Sequence, residues 1–353
     1  MHIDKDKKIF RRDAFDVKEV LRLYSPKTPN DYTVSDNSRG QDDKRFIIFA
    51  DYPNQGKVVL KAARNSFSTP KRVAVWAELA EHYNKRGIYA PRFLRCENGE
   101  YGVMCGSYCV WAEEFAKYTP DETVLDEASA KARLKALGRV AAVSAPLTPW
   151  SSPYAMFDKF CVLDEAPEIY ENGLYIMREI SGKFPQFASR AASIMKEYKR
   201  RRTAFEPIYR ALPKAAFQAD MNCSNLLFDA GKFAGLMDFN LSGTDAVLSY
   251  VFYESNYINF DEELAEVKRG ALRIHALEER TRRNLAYVSE EYCFGDSERS
   301  AFNTFYNLAV PFWNYNFILY KDWLRECGGK AVPRILDYIE FHLTREDVGG
   351  WIP

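Results

Sequence analysis

The stretch FQADMNCSNLLFDAGKFAGLMDFN, residues 217–240, carries three oxygen-bearing side chains in a fixed order: Asp220, Asn225 five residues on, and Asp238 directly after a short apolar run. Carboxylate and amide oxygens are the donors that a hard cation such as magnesium prefers. Moving a phosphoryl group needs metal ligands beside the triphosphate, a carboxylate facing the acceptor hydroxyl and a cation on the phosphates that are not transferred. The segment supplies the oxygen groups of that set in a compact arrangement. The same residues also fit simpler roles, Asp220 and Asn225 in turns or caps and Asp238 at a strand end.

Those groups must be positioned by the elements around them. Residues 225–228 and 233–237 are two apolar runs on either side of a turn at 229–232, which predicts a hairpin. Upstream, the apolar residues of 13–24 have helical spacing, and Pro26 and Pro29 end that helix. Residues 45–50 and 57–62 are β-rich and joined by the turn formers of 51–56. Thr69-Pro70-Lys71 predicts a helix start, followed by Val73, Trp76, Ala77, Ala80 and Tyr83 at helical spacing and by Gly87 as a stop. Residues 90–94 and 101–104 read as strands around Asn98-Gly99, and 108–115 as a further extended run. Beyond Pro120 the pattern turns helical, over 125–142, 174–204 in pieces, 262–289, 301–324 and 332–343. An α+β class follows, with an antiparallel sheet and one inserted helix first and a mainly helical part after it.

At 353 residues the chain is long for one domain, so two lobes are expected. The apolar fraction of 47%, with 24 Phe and 22 Tyr, is enough to build a core. Lys plus Arg and Asp plus Glu both number 49, which provides no overall field for a nucleic acid or an acidic membrane. The sequence has no apolar run near the length of a membrane span, and the start MHIDKDKKIFRRD lacks the apolar stretch of a signal peptide, so a cytoplasmic location is the expectation. The seven cysteines are scattered without CxxC pairs and are expected to be reduced thiols, with Cys105 and Cys109 on one face of a single strand.

QADMNCSN at 218–225 followed by DFN at 238–240 resembles the catalytic and metal-binding loops of the aminoglycoside phosphotransferase and choline kinase-like superfamily, which have a protein-kinase-like fold. Members usually show HGDxHxxN, a strand, a turn, a strand and DFG. Here Gln218 replaces the first histidine, Ala219 the glycine and Asn222 the second histidine, while Asn240 stands at the glycine of DFG and is expected to adopt its left-handed conformation. The resemblance implies Asp220 as the catalytic residue and Asn225 and Asp238 as magnesium ligands. It also implies a bilobal layout with a nucleotide-binding lobe at 1–107, a hinge at 108–118 and a helical lobe at 119–353.

By the same resemblance Lys61, at the end of KVVLK, is the phosphate-binding lysine, and Glu78 on the next helix is its partner, with Glu81 as the competing choice. The phosphate-covering loop is expected between Val34 and Phe46, in the glycine-poor SDNSRGQDDKRF, where Ser38 and Gly40 would offer backbone amides. Glu113 to Phe115 would present backbone groups to the purine. Asp245 resembles the aspartate that braces the metal loop, and a helix N-cap describes it equally well.

For the acceptor, Glu254, Asp261, Glu262, Glu263 and Glu266 form a candidate wall, and Glu254 is its leading residue. Tyr306, Trp313, Tyr315 and Tyr320 line an acceptor pocket or pack a core. The expected activity is transfer of the γ-phosphoryl group of magnesium-bound ATP or GTP to a hydroxyl of a small acceptor, with an aminoglycoside, an amino alcohol, a sugar and homoserine as candidates. A catalytically weak nucleotide-binding pseudokinase serving as an interaction module is the alternative, suggested by Gln218, Asn240 and the glycine-poor loop. A protein kinase is disfavoured because no HRD loop is present.

Overall fold

A computed structural model describes residues 16–53, 56–120, 126–143, 148–161, 164–256 and 274–352. The chain divides into two compact units, the first drawn from 1–124 together with 220–242, the second from 125–219 together with 243–353.

The first unit opens with α1 (Val17–Tyr24), whose N-cap Asp16 accepts a hydrogen bond from the Lys18 amide. Strands β1 (Asp31–Asp36), β2 (Lys44–Tyr52) and β3 (Gly56–Arg64) follow, then α2 (Pro70–Asn84), β4 (Phe93–Leu94), β5 (Gly102–Cys105) and β6 (Tyr108–Glu114). The sheet order is β1-β2-β3-β6, with β4 and β5 both pairing with β6, and every pair is antiparallel. Alternation sorts the side chains by face. Phe46, Ile48, Ala50 and Tyr52 of β2, Val58, Leu60 and Ala62 of β3, and Tyr108, Val110 and Ala112 of β6 pack with Val20, Leu21 and Tyr24 of α1. The intervening residues face the other way, so Ile47, Lys61 and Trp111 form one rung across β2, β3 and β6.

Helix α2 starts where Thr69 Oγ1 accepts a hydrogen bond from the Arg72 amide and Pro70 takes the first position. Its Trp76 meets Trp111 edge-on, with ring centroids 5.4 Å apart. The segment expected as a hinge is, over Tyr108–Glu114, a strand paired on both edges. Cys105 and Cys109 lie on two strands joined through Gly106 at φ +56°, rather than on one. Cys105 sits in the core beneath α1 while Cys109 is directed to the other face, so their four-residue spacing does not align them.

The hairpin predicted near 225–237 is present as β8 (Leu226–Asp229) and β9 (Lys232–Leu236). Ala230 and Gly231 make its turn with positive φ at both positions, the arrangement that suits the twist of a two-residue hairpin. The hairpin is tied to this unit by backbone: the Tyr89 amide donates to Ala234 O at 3.0 Å, the Leu236 amide to Tyr89 O at 2.8 Å and the Phe228 amide to Thr119 O at 3.0 Å. Gly235 is required there, because a Cβ would stand 1.9 Å from Tyr89 O.

In the second unit, α3 (Glu127–Ala141), α4 (Glu168–Lys183), α5 (Ala188–Arg210), α6 (Val247–Ser255), α7 (Ile274–Ser289), α8 (Asp296–Ala309), α9 (Asn314–Cys327) and α10 (Val332–Thr344) accompany a short antiparallel pair, β7 (Lys214–Phe217) with β10 (Gly243–Ala246). The helical run expected over 174–204 is two helices broken before Pro185, and that over 301–324 is broken at the turn Val310–Phe312, which holds Pro311. Residues 262–273 of the expected 262–289 helix lie outside the described residues. Among the described residues no helix is long and apolar enough to cross a membrane.

Candidate active site

The loop that carries Asp220 begins with Ala219 at φ +63°, a left-handed conformation that costs a residue with a Cβ about 1–2 kcal/mol. Glycine would take it without strain. The short turn Cys223–Asn225 is capped by Asn222, whose Oδ1 accepts from the Ser224 amide at 3.0 Å. Both Asp220 oxygens are held by amides: Asn222 Nδ2 donates to Oδ1 at 2.7 Å and Asn225 Nδ2 to Oδ2 at 2.9 Å. Asn225 Nδ2 also donates to the Asp220 backbone O at 2.9 Å. Two acceptors facing one nitrogen fix the orientation of the Asn225 amide and leave its Oδ1 as the atom suited to a cation.

The hairpin then brings Asp238 to the same place. Leu226 pairs with Leu236, and the next bond, from the Met237 amide to Asn225 O at 3.0 Å, extends the ladder by one step. Asn225 and Asp238 therefore end at one end of the hairpin. Asp238 itself is left-handed at φ +58°, and Asn240, expected to be so, is not. The reason is local: Asn240 lies within the turn Phe239–Leu241, so the chain reverses at Asp238, and aspartate is among the residues that tolerate the left-handed region. Phe239 anchors the turn by an edge-on contact with Tyr83 of α2, centroids 5.3 Å apart. Asn240 Oδ1 is buried without a hydrogen-bond partner.

Lys61 reaches two carboxylates, Glu113 Oε1 at 3.0 Å and Asp238 Oδ1 at 3.3 Å. Burial opposes its charge, but Asp238 and then Glu113 outweigh that cost, and the ammonium pKa is raised above its ordinary value. The partner expected on α2 is thus replaced. Glu78 and Glu81 are exposed on that helix, whereas Glu113 is 6% exposed and faces Lys61 from the neighbouring strand. Trp111 Nε1 donates to the same Glu113 oxygen at 2.9 Å. The family resemblance gives Glu113 only a backbone role toward the purine. The available signal was a charged residue at an interior position of YCVWAEE, in strand phase with Trp111.

Ser38 and Gly40 lie in the loop between β1 and β2. Ser38 is engaged in closing that loop, its amide donating to Asp36 Oδ1 and its Oγ accepting from the Arg45 amide. Gly40 has open space where a Cβ would stand, so the loop does not require glycine there. The amides of Glu114 and Phe115, expected to face a purine, donate instead to Arg92 O and Lys57 O. The Phe115 ring is exposed and packs against Phe49.

Glu254 is not presented as a wall for an acceptor. It is 1% exposed in the second unit, bonded by Arg133 Nη1 and by the Tyr250 hydroxyl, each at 2.7 Å. A buried carboxylate that lacked such partners would be strongly unfavourable. Asp261, Glu262, Glu263 and Glu266 lie outside the described residues. Tyr306, Trp313, Tyr315 and Tyr320 are all buried, and the first three line a small cavity with Asn256, Asn316 and Tyr338. Asp245 belongs to β10, and the N-cap of α6 is Ala246. Its carboxylate accepts from Tyr209 at 2.5 Å, Ser152 at 2.9 Å and the Ala246 amide at 2.7 Å. Burial nevertheless raises its pKa to about 6, against the lowering effect of those bonds.

Among the described residues no group of three or more His, Cys, Asp or Glu is gathered that could hold a metal. Magnesium seldom needs one, since it is commonly held by one or two protein oxygens together with substrate phosphates and water. Asn225 and Asp238 at one hairpin end, with an orphaned Asn240 oxygen two residues further on, fit that mode.

No family model matches the sequence, and no curated protein matches it. Solved structures do. A spectinomycin phosphotransferase in complex with ADP and spectinomycin is 11% identical with a TM-score of 0.51, covering 95% of each chain. An aminoglycoside phosphotransferase from Alicyclobacillus acidocaldarius is 13% identical at 0.51, over 94% of this chain and 98% of that one. An amicoumacin kinase in complex with AMP-PNP, a calcium ion and its ligand is 13% identical at 0.51, over 94% of both. At these identities the likeness is one of fold: the chain has the kinase-like fold of the aminoglycoside phosphotransferases along nearly its whole length.

Proposed function

We propose that the chain transfers the γ-phosphoryl group of a magnesium-bound nucleoside triphosphate to a hydroxyl of a small acceptor. The observation that carries this reading is the cluster itself. Asp220 is bonded to Asn225, the hairpin ladder joins Asn225 to the strand end at Asp238, and Asp238 pairs with Lys61 from a strand 177 positions away. Turn and capping roles alone give no reason for a sheet lysine to meet that hairpin end. The kinase-like fold supports the reading independently.

In this account Asp220 orients the acceptor hydroxyl and takes its proton, and the amides of Asn222 and Asn225 fix the carboxylate for that task. Asn225 Oδ1 and the Asp238 carboxylate are the ligands for magnesium, which when bound neutralises charge on the β- and γ-phosphates. Lys61 turns from Asp238 to the phosphates as the nucleotide enters. Catalysis is then mainly positioning and charge neutralisation. The adenine nucleotides in two of the similar structures make ATP the first donor to test and GTP the second.

The acceptor is sought among aminated sugars, amino alcohols and free sugars. The test is a transfer screen with γ-labelled ATP and GTP over these three classes. Label appearing in one class in a magnesium-dependent manner supports the proposal, and no labelled product and no nucleotide turnover with any of them contradicts it.

A further inference from the structure

We infer that Glu113, on sheet strand β6, is the positioning residue that holds the Lys61 ammonium for the nucleotide phosphates, in place of a carboxylate on helix α2. The inference rests on the phosphotransferase reading and adds to it how the lysine is held. The register makes the pairing a property of the sheet. Lys61 stands opposite Trp111 and Val59 opposite Glu113, so Lys61 and Glu113 are diagonal neighbours on one face of adjacent strands. The ion pair closes at 3.0 Å.

Glu113 is fixed in turn. Trp111, two residues back on the same strand and face, donates its indole N–H to the oxygen that Lys61 contacts, and Trp76 of α2 packs edge-on against that indole. A carboxylate only 6% exposed, carrying a cation and an indole donor on one oxygen, is held in a single orientation. The other carboxylate at Lys61, Asp238, is a metal ligand in the proposed reaction and must turn to the cation when the nucleotide binds. Glu113 then remains as the anchor.

Placing the anchor on the sheet has a functional consequence. A partner on α2 would be lost whenever the helix shifted, and the lysine could be switched by that movement. A partner one strand away, in a ladder that continues from Val58↔Glu114 to Ala63↔Cys109, keeps its place through such a shift. The lysine is therefore held ready at all times, without a helix-borne switch.

Glu113→Gln keeps the shape and removes the charge. It is expected to raise the nucleotide KM by about tenfold, the effect of weakening one charge-assisted contact, while kcat changes less. Glu113→Asp should recover part of the affinity, and Trp111→Phe, which removes the indole donor together with part of the ring that meets Trp76, should raise KM in the same direction by less. A purely structural Glu113 would leave the KM of folded protein unchanged. The inference is overturned if Glu113→Gln and Trp111→Phe, folded by circular dichroism, keep KM within twofold of wild type. If Glu113→Gln does not fold, the Trp111→Phe result alone decides. It is also overturned if Glu78→Gln produces the tenfold rise. Wild-type protein that neither binds nor turns over ATP or GTP would instead remove the phosphotransferase reading, and the inference with it.

Discussion

Neutralising Glu254 should lower stability and leave the acceptor KM unchanged, although its place in an acidic, aromatic stretch suggested an acceptor contact. Its side chain is 1% exposed and that of Arg133 8%, with 2.7 Å between Oε2 and Nη1. Removing one partner of such a pair leaves an uncompensated buried charge, which costs about 3–5 kcal/mol. Glu254→Gln keeps an oxygen for the Tyr250 hydroxyl but takes the negative charge away from the guanidinium, and Arg133→Met takes the positive charge away from the carboxylate. The double variant removes both charges of the pair, so it should be less destabilised than the sum of the singles, with a coupling of roughly 2 kcal/mol or more. At about 2–4 °C per kcal/mol for a unit of this size, each single change lowers the melting temperature by roughly 10 °C. Calorimetry of the four proteins, with acceptor KM measured at a temperature where all are folded, reads both quantities. Additive destabilisation within 0.5 kcal/mol, or an acceptor KM that rises tenfold in Glu254→Gln, would refute the assignment.

Asn225→Ala removes a proposed metal ligand and one of the amides that hold Asp220, and is expected to weaken magnesium-dependent nucleotide binding by about tenfold or more in titration calorimetry. Unchanged magnesium-nucleotide affinity would count against its role. Burial raises the Asp245 pKa to about 6 from 3.8, so its contribution to stability is complete below about pH 4 and is lost as pH rises through 6. Relative to Asp245→Asn, the wild type should lose about 3 kcal/mol of unfolding free energy across that window in denaturant titrations, and a constant difference would contradict this. Gly235→Ala forces a methyl into Tyr89 O and should destabilise the first unit by about 3 kcal/mol or more, seen as early loss of amide-exchange protection in β8 and β9.

What the sequence disclosed followed the strength of its periodic signals. The hairpin at 225–237, the capped start of α2 and the extended runs that became β2, β3 and β6 were legible because turn residues and β-rich composition agree there. Strands β7 and β10, four residues each and far apart in the chain, were not, because a pairing that short leaves no periodic trace. The helix break at Pro311 lay within an apolar pattern that continues across it, whereas 174–204 already read as helical in pieces.

Asp220, Asn225, Asp238 and Lys61 were singled out by type and order, and the structure shows that Asp220 meets Asn225 and Lys61 meets Asp238. The partner of Lys61 was misread because helix acids at the expected spacing hid a strand residue. Which carboxylate faces a lysine depends on sheet register, and register is invisible until the strands are paired. Glu254 was misread for a related reason: its acidic neighbours suggested a solvent-facing wall, while Arg133, 121 positions earlier, is what it serves.

The central claim is tested most directly by magnesium-dependent release or transfer of the γ-phosphoryl group from ATP and GTP by purified wild type, Asp220→Ala and Asp238→Ala. Measurable turnover is expected in the wild type and a loss of about 100-fold or more in each variant, with Asp220→Ala still binding the nucleotide. Equal rates in all three proteins would contradict it.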